Sequence, residues 1–239
     1  MFISRFVWQN SLNLKNVFPQ LAAFTSGTSN SGFFGLPLVS ILLGSNFVKE
    51  ATLMTVGYWL YENSVGFLVA AGNKLTLRES FSKMLKLPGI YAFLIGLTLN
   101  FFGFNSFIQN MVYLKTVNYF RGTVSLLGMM LIGLGLADLK SFKINWKFLL
   151  IVSFGKFILW PVITVIFILL TANFGILNKQ NIQTLLLMSV VPISANSIAI
   201  ASFLECEPGE VSFTCFLTIV VALFYIPGFF DLIITPYFS

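Results

Sequence analysis

The chain has 239 residues, of which 57% are hydrophobic and only 9% charged. A water-soluble domain carries about 25% charged residues, so this composition points to an all-α integral membrane protein whose main partner is the lipid bilayer. The net charge of +6 is scattered between apolar runs and forms no basic patch of the kind that binds nucleic acid.

Histidine is absent, which removes Ser-His-Asp and Cys-His nucleophile systems and any His-ligated zinc or haem. Cys206 and Cys215 lie nine apart and read as two apolar-packed thiols rather than a metal site or disulfide. Asp138 and Asp231, the only aspartates, fall near span ends, where an intramembrane aspartyl protease would not keep them. No enzyme activity, metal or cofactor is therefore expected. The opening Met1-Phe2-Ile3-Ser4-Arg5 leads into no apolar core with a small-residue cleavage site, so no cleaved signal is expected.

In chain order, the stretch before Gln20 is mixed, with Asn10, Asn13, Lys15 and Asn16, and is too polar to span. Seven apolar runs of spanning length follow, at 21–44, 51–73, 88–105, 119–137, 148–172, 183–204 and 211–235. No low-complexity linker divides them, so 1–239 reads as one membrane domain. The flanking lysines and arginines set the orientation. Nine fall on the side of the N-terminus and of loops 74–87 and 138–147, against Lys49, Lys115, Arg121 and Lys179 on the other. The bias puts the N-terminus in the cytoplasm and the C-terminus outside.

Two of the seven runs combine a proline with short polar residues. The first reads Thr28-Ser29-Asn30-Ser31-Gly32-Phe33-Phe34-Gly35-Leu36-Pro37-Leu38, and the sixth reads Met188-Ser189-Val190-Val191-Pro192-Ile193-Ser194-Ala195-Asn196-Ser197. Proline removes a backbone donor and clashes with the preceding turn. Both runs are therefore expected to break partway, which at membrane depth requires a protein or water-filled surround. Paired broken helices in corresponding halves mark the binding site of a carrier. Being five spans apart, the two cross in opposite directions, as in a 5+5 inverted repeat. Residues 88–239 would form one complete five-helix unit and 20–73 the tail of the other.

The segment Asn30–Leu38 resembles the N-x-G-F-x-G-x-P-L signature of the auxin efflux carrier family, permeases for malonate and other organic acids related to the plant PIN-formed carriers. Gly133-Leu134-Gly135-Leu136 resembles the glycine-containing end of that family's seventh helix, and Pro192 with Ala195-Asn196-Ser197 resembles its ninth-helix crossover. Thr218 lies where the last helix usually carries a threonine. The resemblance implies transport of a small organic anion across a bacterial inner membrane, driven by the proton gradient or the membrane potential. A homo-oligomer is left open. Two departures stand out. The family's crossovers are its fourth and ninth helices, so three opening helices have no counterpart here, and a non-transporting remnant is the alternative expectation. The proline before the seventh-helix glycines is also absent, with Leu126 near that place.

Asn30, Ser31, Ser194, Asn196 and Ser197 would hydrogen-bond a carboxylate where half-helix N-termini point their positive ends, or serve as packing glue between helices. Gly32 and Gly35 would permit close approach of the two breaks. Glu62, in the second run, is an intramembrane acid of the kind that carries protons or braces a bundle interior. Lys156, in the fifth, would attract an anion, pair with Glu62, or snorkel to the surface. Glu205, Glu207 and Glu210 read as an acidic, solvated loop.

Overall fold

The computed structural model of the chain describes residues 19–72, 75–104, 110–137, 144–172 and 174–237, and no strand occurs among them. The expectation of a polar, non-spanning start and the charges Lys74, Asp138, Lys140 and Lys143 lie outside the described residues.

The first apolar run begins with α1 (Pro19–Gly27), pauses at 28–30, resumes as a π-helical turn at Ser31–Gly35, and continues into α2 (Leu36–Leu42). The break therefore lies upstream of Pro37, which sits in the first turn of α2. Its missing N–H falls directly after the π-helical turn, where Leu36 N already bonds Ser31 O five residues back, so the wider turn leads the chain into the proline. The second run is α3 (Val48–Asn63) and α4 (Val65–Ala71), joined with a kink at Ser64, whose backbone φ/ψ of −128°/−100° is not helical.

Next come α5 (Leu77–Met84) and α6 (Pro88–Phe101), bent by 59° across the intervening turn. Thr76 and Glu79 close a capping box at the start of α5, so two orphan donors are satisfied reciprocally. The long α7 covers Met111–Ala137. The fifth run is α8 (Trp146–Phe154), a π-helical turn at Gly155–Leu159, and α9 (Trp160–Ala172). Asn145 caps α8 by accepting from Phe148 N at 3.1 Å, while its own N–H donates to Glu210 Oε2 at 3.1 Å. That contact makes Glu210 a half-buried brace rather than a solvated loop residue. Glu205 and Glu207 are exposed, both with left-handed backbone. The sixth run is α10 (Lys179–Ser189) and α11 (Asn196–Phe203), separated by residues 190–195. The last is α12 (Pro208–Phe229), continued by a π-helical turn to Ile234.

Among the described residues, three helical stretches of 27 residues, Met111–Ala137, Trp146–Ala172 and Pro208–Ile234, are long and apolar enough to cross a membrane, and the bent α5–α6 pair makes a fourth if counted as one span. The other expected runs exist as shorter pieces because they are interrupted. The outer faces are apolar: α6 buries none of its residues, and Phe101, Phe120 and Phe224 stand 86%, 67% and 81% exposed. A surface of this kind does not belong in water.

One proline shows how the interior balances its backbone. Pro161 offers no N–H to the carbonyl of Phe157, four residues earlier, and the Tyr225 hydroxyl donates to that oxygen at 3.0 Å. An orphan acceptor that lipid could not satisfy is thereby taken up by α12. The interior has two apolar clusters. One gathers Leu21, Phe24, Phe67, Ile198 and Cys215, and the other Val39, Phe157, Met188, Val191 and Ile226. Residues of both interrupted runs belong to each cluster, and the buried polar side chains Thr28, Ser29, Asn30, Glu62, Lys156 and Ser194 gather where those runs are broken.

Candidate functional site: a crossover of two interrupted helices

The two breaks touch through main chain. Asn30 N donates to the Pro192 carbonyl oxygen at 2.8 Å, and Ser194 N donates to Thr28 Oγ1 at 3.2 Å. Asn30 O in turn accepts from Phe34 N and Gly35 N, both at 3.0 Å, which forms the π-helical turn. Gly35 packs closely at the approach. A Cβ there would stand 3.0 Å from Met188 Sδ and 3.4 Å from Val191 Cγ2.

A broken helix exposes carbonyls at one end and N–H groups at the other. The carbonyl end of α1 meets donors from three directions. Tyr61 OH reaches Phe24 O at 3.4 Å, Trp160 Nε1 reaches Ser26 O at 2.7 Å, and Lys156 Nζ reaches Thr28 O at 3.0 Å. Thr28 itself folds back, its N and Oγ1 both bonding Thr25 O. At the end of α10, Tyr58 OH donates to Met188 O at 3.4 Å.

The N–H ends meet an acid. Glu62 Oε1 accepts from Ser29 N at 3.4 Å, and Glu62 Oε2 accepts from Ser194 Oγ at 3.3 Å and Asn196 Nδ2 at 3.0 Å. Ser194 Oγ also accepts from Asn196 N, the first residue of α11, at 3.1 Å. The cation thus sits at the carbonyl end of one half-helix and the carboxylate at the N–H end of another, the arrangement that helix dipoles favour. Lys156 is fully buried, with Nζ 5.4 Å from the Tyr58 ring centre. Snorkelling is thereby excluded. The expected pairing with Glu62 is indirect, since the two side chains bond adjacent residues, Thr28 and Ser29, of the same break.

A cavity of about 570 Å³ opens against this crossover. Its polar wall is Ser29, Asn30, Ser31 and Gly32 from the first break, Ser194 and Asn196 from the second, and Thr55, Trp59 and Glu62 from α3. Its apolar wall is Phe33 with Val124, Leu127 and Leu131 of α7. Among the described residues, Glu62 is the one charged side chain lining it. A second cavity of about 450 Å³ faces the other side of α3, between Gly27, Tyr58, Tyr61, Trp160 and Met188. Positions 55, 59 and 62 face the first cavity and 54, 58 and 61 the second, two stripes one residue out of phase at helical spacing.

Of the residues singled out from sequence, Asn30, Ser31, Gly32, Ser194, Asn196 and Glu62 line the first cavity. Pro192 lies in the second break, and Ser197, fully buried, bonds back to Ser194 O. Gly35 packs the two breaks together, while Pro37 starts α2 and Lys156 sits behind the first break, outside the lining of both cavities. Gly135 packs against Ser212 on α12, whereas Gly133 has open space. Thr218 is buried and donates to Cys215 O, and Cys206 and Cys215 are buried thiols.

Sequence reasoning missed Thr28, Trp160, Tyr58 and Tyr61 as members of the site. Thr28 was visible in the broken segment, and the tyrosines bracket the helical face of Glu62. Trp160 carried the weaker signal of standing before a proline in a span.

The fold and the site define an all-helical, membrane-embedded protein built around a polar crossover. No family model, curated protein or solved structure matches the chain.

Proposed function

We propose that this chain is a carrier that moves a small organic anion, a carboxylate, through the cavity at its crossover. One observation carries the reading: the donors of the two breaks already converge on a carboxylate, that of Glu62. Ser29 N, Ser194 Oγ and Asn196 Nδ2 form a set shaped to bind that group, at the N-terminal end of α11, where an anion is favoured. Sequence resemblance to the auxin efflux carrier type supports the same class of substrate. In this reading the seven apolar runs are spans, with the first and sixth as the crossover pair of an inverted repeat. The same reading takes the lysine- and arginine-rich side, with the N-terminus, as the cytoplasmic side of a bacterial inner-membrane protein.

The test is uptake by the purified protein in liposomes, using labelled malonate and benzoate. The expected result is uptake of at least one, reduced about tenfold or more in Asn196→Ala, the range for losing a hydrogen bond to a charged group. Uptake of neither anion by folded protein, or uptake unchanged in the variant, would end the proposal.

A further inference from the structure

In the structure the Glu62 carboxylate fills the donors that the substrate of the proposed carrier would use. Its oxygens hold Ser29 N, Ser194 Oγ and Asn196 Nδ2. One further group is spare: Ser29 Oγ is buried close to the Tyr58 hydroxyl and makes no hydrogen bond of regular geometry. Among the described residues no cation lines the cavity to balance a second anion, since Lys156 is committed to Thr28 O behind the break. Two ionised carboxylates cannot share one donor set, because like charges at contact distance disfavour each other's charged form.

We propose that Glu62 is the resident carboxylate of the crossover and that a substrate carboxylate replaces it there, with one proton passing from solution to Glu62 for each anion bound. This rests on the carboxylate reading given above and adds its coupling. Protonation converts Glu62 from pure acceptor to a donor, so the displaced side chain can hydrogen-bond the newcomer instead of repelling it. The complex then carries no added net charge, and a pH gradient rather than the membrane potential drives accumulation.

The titratable groups facing Glu62 come from three elements, and the Glu62→Gln variant separates its proton from theirs. On its own helix, the Tyr58 and Tyr61 hydroxyls are held by Met188 O and Phe24 O. From α12, the Cys215 thiol is held by Ile193 O at 3.6 Å. From the π-helical turn after α8, Lys156 faces the same break from the far side of Ser29, its Nζ held by Thr28 O.

The experiment is calorimetric titration of the purified protein with benzoate, which stays ionised throughout, between about pH 6 and 8 in two buffers of different ionisation heat. The expected result is proton uptake that rises towards one per benzoate, with an affinity falling about tenfold per pH unit, above the titration of Glu62. In Glu62→Gln, whose amide mimics the protonated acid, binding should persist with neither proton uptake nor pH slope. Binding without proton uptake in the wild-type protein, or a pH slope retained in Glu62→Gln, would overturn the exchange. Absence of benzoate binding in both folded proteins would instead remove the carboxylate site itself. Should Glu62→Gln not fold, the wild-type titration in two buffers decides alone.

Discussion

Asn30 and Pro192 are joined by a main-chain hydrogen bond of 2.8 Å, from the N–H of the first to the carbonyl of the second. Neither group has a partner inside its own helix, so each break serves as the other's missing turn. Satisfying backbone by backbone in this way requires the chains to come close, and side-chain size at the contact decides whether they can.

Gly35 sets that limit. Its replacement by valine would drive branched carbons into Met188 and Val191, and overpacking of this kind costs about 1–3 kcal/mol. Gly35→Val should lower the midpoint of detergent unfolding clearly, whereas Gly133→Ala, inside a helix with nothing within 4 Å of the added carbon, should leave it unchanged or slightly raised. Equal effects would mean that the breaks do not touch at Gly35.

Tyr225 supplies the bond that Pro161 denies to Phe157. Tyr225→Phe keeps the ring and its packing on Phe157 and Phe229 but leaves a carbonyl without a donor. A loss of about 1–3 kcal/mol in unfolding free energy is expected. Stability equal to that of the parent would show the hydroxyl to be dispensable.

Lys156 is expected to matter for stability before it matters for ligand. Lys156→Met preserves much of the volume but strips the donor from Thr28 O, again at a cost of about 1–3 kcal/mol. Benzoate should still bind the folded variant, because Lys156 does not line the cavity. Full stability with lost binding would reverse the assignment and make Lys156 the ligand's counter-charge.

Orientation can be read by labelling single cysteines after Cys206 and Cys215 are replaced by alanine. Ser45 and Ser82 are both exposed positions near helix ends. An impermeant reagent should label Ser45→Cys in intact cells and Ser82→Cys only after permeabilisation. The opposite pattern would invert the topology.

The polar breaks were legible because lipid makes them conspicuous. Asn30 and Asn196 in apolar runs have no cheap place except against each other or a cavity, and both line one. Glu62 stood out for the same reason. Pro37 misled by a few residues, since proline marks where a helix can start as readily as where it stops. The role of Lys156 was not legible either. Periodicity places a residue on a face, but the carbonyl it would meet belongs to a half-helix more than a hundred residues away. Trp160 and the tyrosines were hidden because an aromatic in a span is ordinary, and only the three-dimensional path of α1 turns their polar tips toward its exposed carbonyls.

The reach of the Asn30–Pro192 bond has a consequence for how the protein is made. At ribosomal speeds of about 5–20 residues per second, roughly 160 residues separate the appearance of the donor from that of the acceptor, a delay on the order of 10–30 s. Through that interval the first break is already emerging beside lipid with its chief partner unsynthesised. Glu62 arrives within a few seconds and holds Ser29 N, Lys156 follows and holds Thr28 O, and Pro192 comes last. The same acid that occupies the finished site is therefore the first attendant of the nascent one, and insertion machinery must shelter that turn until the sixth run is delivered.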